Sequence, residues 1–246
     1  MKQGQEKNGA QRLDKLIGNQ GQYTRSQVKD LVRQGRVSWN GSVVRRAEQK
    51  VMPGDDIRID GKPVIVRSHI YLMMNKPAGV VSASRDPRAG TVVDLVPEQW
   101  QRRGLFPAGR LDKDTTGFLL ITNDGEFAHR MLAPKKHIPK VYLAQLEFPF
   151  DPALPQRFAC GIQLGDGTLC QSAQVSLECP GERPVARVVL HEGMYHQVKR
   201  MFAACGNRVL SLRRIQIGGL ALDEQLAPGE CREILPKELE SILYGF

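Results

Sequence analysis

The chain has 246 residues and 27.5 kDa, enough for one or two domains with a sizeable core, and its 41% hydrophobic, 25% charged composition with a mean hydropathy of −0.34 excludes a largely disordered chain. The longest run without Asp, Glu, Lys or Arg, Gly167 to Leu177, is eleven residues, well short of the roughly 18 that a membrane helix needs, and the polar start Met1 to Gly9 lacks the apolar stretch of a secretory signal, so a cytoplasmic protein is expected. Lys and Arg outnumber Asp and Glu by 35 to 26, and the resulting +9 charge and pI near 9.5 favour a polyanionic partner, most simply nucleic acid. The five cysteines, Cys160, Cys170, Cys179, Cys205 and Cys231, are odd in number and form no C-x-x-C pair, which reads as reduced structural thiols rather than a zinc knuckle or disulfide framework.

The excess charge is concentrated at the start. Residues 1–62 hold 13 Lys and Arg against 7 Asp and Glu, a net of +6, and the other 184 residues supply only +3. This predicts a small basic module, residues 1–62, joined at Gly61-Lys62-Pro63 to a larger, nearly neutral domain, residues 63–246. Ser26 is a candidate N-cap for a helix running to Gln34 and stopped by Gly35, with Val28, Leu31 and Val32 as its apolar stripe. Arg25, Lys29 and Arg33 recur at i, i+4 spacing with Arg36 just beyond, forming a basic ridge that suits RNA or DNA; a merely solvated helix face is the plainer alternative. Arg36 to Trp39, Asn40-Gly41 and Ser42 to Val44 read as strand, two-residue turn and returning strand. A second turn, Pro53-Gly54-Asp55, precedes a strand at Asp56 to Ile59.

From Ile70 onward, strand-like and helix-like patches alternate. Ile70 to Met74, Gly117 to Thr122, Val141 to Leu146 and Ala186 to Leu190 are short apolar or β-branched runs, and Glu126 to Leu132, Pro155 to Cys160, His196 to Cys205 and Pro236 to Leu243 carry helical spacing. An α+β domain on a mixed or antiparallel sheet is the expected architecture.

The densest polar cluster is Gly109-Arg110-Leu111-Asp112-Lys113-Asp114-Thr115-Thr116-Gly117, placed directly before a strand that reads as buried. Asx turns at Asp112 and Asp114 in a plain polar loop are one reading. A calcium loop is a second, opposed by Asn123 where its bidentate Glu belongs. A catalytic carboxylate at a rigid strand's end is the third. Here the residues resemble a known family: Gly109-Arg110-Leu111-Asp112 with Asp114-Thr115-Thr116-Gly117 is similar to the signature loop of pseudouridine synthases, in the RsuA-like branch that modifies ribosomal RNA. Asn75-Lys76-Pro77-x-Gly79, Lys140-x-Tyr142, Glu192-Gly193-x-x-His196-Gln197-Val198-Lys199-Arg200-Met201-Phe202, Ile217-Gly218-Gly219-Leu220 and Leu226 to Arg232 match that branch in order. Arg12 to Lys15, the Ser26 to Gly35 helix and the Val37 to Val44 hairpin likewise resemble the alpha-L (S4-like) RNA-binding module shared with a small-subunit ribosomal protein.

The resemblance implies an isomerase that breaks the bond between ribose and uracil N1, turns the base and rejoins the ribose to C5, with no redox step, no cofactor and no metal. Carried over residue by residue, Asp112 is the nucleophile, Lys199 the cation that pairs with it, and Tyr142 the ring packed on the target base; Lys76 and Arg110 bind RNA phosphate or brace the loop. Arg200, Arg208, Arg213 and Arg214 extend the basic surface, and His196 receives no chemical step. The uridine must be everted to be reached. The implied partner is ribosomal RNA, within a small-subunit assembly particle, met by a monomer without membrane association. The His196 to Phe202 run favours 16S over 23S rRNA, although Met194 stands where many relatives carry Arg or Lys. The rivals are a 23S enzyme, a non-catalytic RNA-binding assembly factor that keeps the fold, and a calcium-stabilised DNA-binding protein.

Overall fold

The structure is a computed structural model that describes residues 10–20, 22–52, 54–64, 69–101, 104–133 and 136–244. Met1 to Gly9, read above for a leader, and Pro53 of the second turn lie outside the described residues. The chain divides into two units, Met1–His69 with Pro97–Leu105, and Ile70–Val96 with Phe106–Phe246.

In the first unit, β1 (Gln11–Arg12) pairs with β4 (Lys50–Val51), and β2 (Val37–Trp39), β3 (Ser42–Val43), β5 (Ile57–Ile59) and β6 (Lys62–Pro63) form a sheet in the order β3-β2-β5-β6. Helices α1 (Leu13–Gly18) and α2 (Arg25–Arg33) bury Leu13, Leu16, Ile17, Val28, Leu31 and Val32 against Val37, Val51, Ile57 and Ile59, the last three of the helix residues being the apolar stripe seen in the sequence. Helix α2 starts two residues earlier than expected. Thr24, not Ser26, is the cap: its Oγ1 accepts from the Gln27 amide, and the Gln27 side chain accepts from the Thr24 amide at 2.7 Å. Asn40 and Gly41 adopt φ of 47° and 80°, as the two-residue hairpin turn requires. The joint expected at Gly61-Lys62-Pro63 is instead structural, because Lys62–Pro63 hydrogen-bonds as an edge strand to β5. The short helix α3 (Glu98–Gln101) also belongs to this unit.

The second unit is built on nine strands, β7 (Tyr71–Lys76), β8 (Phe106–Pro107), β9 (Thr116–Thr122), β10 (Lys140–Leu146), β11 (Gln174–Cys179), β12 (Val185–Leu190), β13 (Val209–Ile217), β14 (Leu220–Ala221) and β15 (Cys231–Glu233). The main path runs β11-β12-β10-β13-β9-β7-β15, with β14 beside β13 and β8 beside β9. Every pairing between these nine strands is antiparallel except β9 with β13, where Arg213 faces Thr116 and Arg214 faces Gly117. The α+β, mixed-sheet expectation is therefore met. Helices α4 (Gly125–Leu132) and α7 (Pro236–Tyr244) cover one face, where Phe127, Met131 and Ile242 pack on Met73, Phe118, Leu120 and Ile217. Helices α5 (Leu154–Ala159) and α6 (Gln197–Ala204) meet through Phe158 and Phe202, ring centroids 5.1 Å apart. Strand β9 is buried along nearly its whole length, which explains its continuous apolar run. No helix among the described residues is long and apolar enough to cross a membrane.

Candidate active site

The loop from Gly109 to Thr115 enters β9 and lines a cavity of about 820 Å³, within the range typical of small-molecule sites, about 300–1,000 Å³. Its other walls come from Ser82–Ser84, from Lys140 and Tyr142 on β10, from the 190–198 turn into α6, and from Leu212 and Arg214 on β13. Period-two alternation explains the strand contributions: Lys140 and Tyr142 share one face of β10, and Arg214 lies opposite Tyr142 across the ladder.

The loop is held from below. The Lys76 ammonium is fully buried and donates to the carbonyls of Pro77, Asp112, Lys113 and Thr115 at 3.0, 3.1, 3.4 and 2.9 Å. Burial lowers its pKa to about 8, against the opposing pull of Asp114 and Asp112. Of the two roles expected of Lys76, its burial and its four carbonyl partners fit the brace of the loop and not the contact with RNA phosphate. Ser82 Oγ donates to the Leu111 carbonyl and accepts from the Leu111 amide, and Gly79 donates to the Lys113 carbonyl. The first motif is therefore the floor of the signature loop. Asn75 in turn donates to the Leu226 carbonyl and accepts from the Gly229 amide, which ties the last motif to the same floor.

Asp112 lines the cavity with 30% of its side chain exposed. The cation expected beside it was Lys199, but the Lys199 ammonium binds both oxygens of Asp114 at 2.6 and 2.7 Å. That pairing, more than the burial that opposes it, holds the Asp114 carboxyl below its ordinary value. The nearest basic group to Asp112 is His196, its Nε2 3.4 Å from Oδ1. His196 starts α6 in the left-handed region, at φ 50°, and stacks on Tyr195 with ring centroids 3.8 Å apart. Gln197 fixes this turn by accepting from the Met194 amide and donating to Glu192. Composition gives no sign of the swap, since Asp112 and Asp114 are the same residue type two positions apart on one loop.

Tyr142 lines the cavity, and Arg110 stands exposed at its edge. Arg214 is not part of a basic surface: it is 5% exposed, donates through Nε to the Phe118 carbonyl at 2.8 Å and lies 6.0 Å from the centroid of the Tyr142 ring. Leu212 and Arg214 point inward from β13 and Arg213 outward, and no sequence signal marks this, because Arg214 interrupts the apolar alternation of the strand. Lys140, which the sequence reading quoted beside Tyr142 without a role, also lines the cavity. Burial, helped by Arg214, lowers its pKa to about 8. Arg200 is paired with Asp166 at 2.5 Å, and Arg208 lies 3.5 Å from Glu147. The calcium reading fails because residues 116–122 are a strand and Asn123 accepts from the Ile70 amide. Gly117 permits the close seam of β9 and β13: its φ is +98°, and a Cβ there would sit 2.2 Å from the Arg214 carbonyl oxygen.

On the first unit, the basic ridge is largely engaged. Arg25 binds the fully buried Asp14 at 3.1 Å together with Arg12 at 2.9 Å, Arg33 pairs with Asp30 and Arg36 with Asp60. Burial raises the Asp14 carboxyl, but the two guanidinium bonds outweigh it and leave it below its ordinary value. Lys29 is exposed and has no ion-pair partner among the described residues.

Residues 70–204 match the RNA pseudouridylate synthase family, and residues 11–57 match the S4 domain. The chain belongs to the pseudouridine synthases. This synthase is 44% identical over 230 residues to the uncharacterized RNA pseudouridine synthase YtzG of Bacillus subtilis, covering 93% of the chain and 96% of the relative. It is 41% identical over 237 residues to ribosomal small subunit pseudouridine synthase A of Escherichia coli, covering 94% of the chain and all of the relative. A crystal structure of a pseudouridylate synthase, 36% identical, superposes with a TM-score of 0.65 over 94% of this chain and 99% of that one.

Proposed function

We propose that the synthase converts a single uridine of 16S rRNA to pseudouridine with Asp112 as nucleophile, acting as a monomer on a small-subunit assembly particle. The observation that carries this reading is the Asp112 carboxylate on a braced loop, facing a cavity that Tyr142 and the cations Arg110, Lys140 and Arg214 also line. The cavity, about 820 Å³, is large enough for an everted nucleotide. In the reaction the C1′–N1 bond breaks, the base turns on Tyr142, C5 bonds to C1′, and the C5 proton leaves as N1 gains one, so atoms and charge balance without a cofactor. Lys76 and Ser82 hold the carboxylate's loop rigid, which keeps the attacking oxygen in place at no cost during the reaction. Lys199 acts at one remove, tethering α6 to the loop through Asp114. The S4 domain grips structured RNA by shape and phosphate, with Arg25, Lys29, Arg33 and Arg36 as contacts. The preference for the small subunit rests on the Escherichia coli relative and the His196 to Phe202 run.

The test incubates the synthase with undermodified small- and large-subunit particles and maps pseudouridine by base-specific chemistry. One new site in 16S rRNA is expected, absent with Asp112→Asn although that variant still binds the particle. A product only in 23S rRNA overturns the substrate, and normal turnover by Asp112→Asn overturns the nucleophile.

A further inference from the structure

Buried charges are normally paired, and besides the exposed Arg110 the cavity holds two more sheltered basic side chains for which no ion-pair partner is present among the described residues. Arg214 is 5% exposed, yet its Nη2 has no hydrogen-bond partner and no carboxylate lies within ion-pair distance among the described residues. Its Nε is taken by the Phe118 carbonyl, and its Nη1 lies 3.5 Å from the Tyr142 hydroxyl. Lys140, two residues before Tyr142 on the same face of β10, also lines the cavity, and its charged neighbour is Arg214, which repels it. Thr115 adds a third group: it is 1% exposed, lines the same cavity, and its Oγ1 is unpartnered.

These three groups share a chemistry. Arg and Lys can only donate, and a Thr hydroxyl can donate, so the set suits a ligand that only accepts and carries charge. A uracil edge suits the set less well, because its N3–H needs an acceptor and only the Thr115 hydroxyl can accept. We infer that Arg214, Lys140 and Thr115 form a phosphate subsite for the nucleotide everted into the cavity. It is separate from the groups that act on the base, and it rests on the reading of the cavity as the nucleotide pocket. Its effect is to make eversion favourable, since a backbone phosphate drawn beside Tyr142 neutralises a site that is over-charged when empty.

The full-length chain is titrated calorimetrically with uridine 3′,5′-bisphosphate and with uridine, in parallel with Lys140→Met and Arg214→Lys, each checked for folding by circular dichroism. The wild type is expected to prefer the bisphosphate by about tenfold or more, the effect of one or two charge-assisted contacts, and Lys140→Met is expected to lose most of that preference while its affinity for uridine stays within about twofold. Arg214→Lys keeps the charge and loses the fork, so it retains part of the preference. Should Arg214→Lys fail to fold, Lys140→Met decides alone. An unchanged preference in Lys140→Met, or no preference in the wild type, overturns the subsite. Pseudouridine formation by the same preparations separates the two ideas: product without phosphate preference sinks the subsite alone, and phosphate preference that the variant abolishes, without product, sinks the proposed reaction alone.

Discussion

Lys76→Met removes the ammonium under the signature loop while keeping the length of the stem. The Pro77, Asp112 and Thr115 carbonyls each lose a donor within 3.1 Å; at about 2 kcal/mol for each buried acceptor left unpaired, the gross loss is about 6 kcal/mol. Opposing it is the relief of no longer burying a charge: the fall of Lys76 from 10.5 to about 8 corresponds to about 3 kcal/mol. The variant is therefore expected to be less stable by about 3 kcal/mol at pH 7. The folded value lies below the unfolded one, so between pH 8 and 10.5 the unfolded wild type binds more protons and wild-type stability rises with pH, an increment absent from the methionine variant. The difference between the two chains is thus expected to widen toward about 6 kcal/mol near pH 10. Urea unfolding followed by far-UV circular dichroism measures it; tryptophan fluorescence is the wrong probe, because Trp39 and Trp100 both lie in the first unit. A difference that stays constant from neutral to alkaline pH, or a variant as stable as the wild type, refutes the brace. Turnover should fall with the brace while RNA affinity holds, because the Asp112 backbone is one of the groups released.

Asp14→Ala should destabilise the first unit by about 2 kcal/mol through two lost guanidinium bonds, read by Trp39 fluorescence in urea. Because the folded Asp14 carboxyl lies below its ordinary 3.8, its contribution is full above that value and disappears as pH falls through the folded one, so the wild type and the variant should converge in acid. Gly117→Ala should abolish the folded second unit or cost several kcal/mol, since its Cβ meets the Arg214 carbonyl at 2.2 Å; a melting temperature within a few degrees of wild type would contradict the close seam. Lys29→Ala should lower the slope of log affinity for RNA against log salt by about 0.7–0.9 without changing stability, whereas Arg25→Ala should also lower stability because Arg25 holds Asp14; equal unfolding midpoints for both variants would count against that division.

The extent to which the sequence was legible follows from the range of the interactions. The Asn40-Gly41 hairpin, the α2 stripe and the four helices of the second unit rest on neighbours within a few residues, and each was found within one or two positions. Strand β13 escaped notice because it mixes Arg, Ser and Gln on its outer face with apolar residues on the other, and its inward Arg214 breaks the alternation that would have marked it. The signature loop was identifiable from its residues, but its supports were not. A lysine that donates to four carbonyls looks in sequence like any phosphate-binding lysine, and only coordinates distinguish Lys199 on Asp114 from Lys199 on Asp112. The boundary was misplaced for a related reason, since Gly61-Lys62-Pro63 reads as a linker until its long-range partner, β5, is seen.

The parallel seam between β9 and β13 has a bearing on folding as well as on chemistry. Lys76 on β7 and the loops that carry Asp112 and Ser82 lie on one side of it, and Tyr142, Lys140 and Arg214, on β10 and β13, lie on the other, so with the seam open the candidate site is not assembled. A register slip of one residue there would turn Arg213 inward and put Arg214 in water. The steric demand at Gly117 therefore acts as an alignment key for the cavity on which the proposed reaction depends.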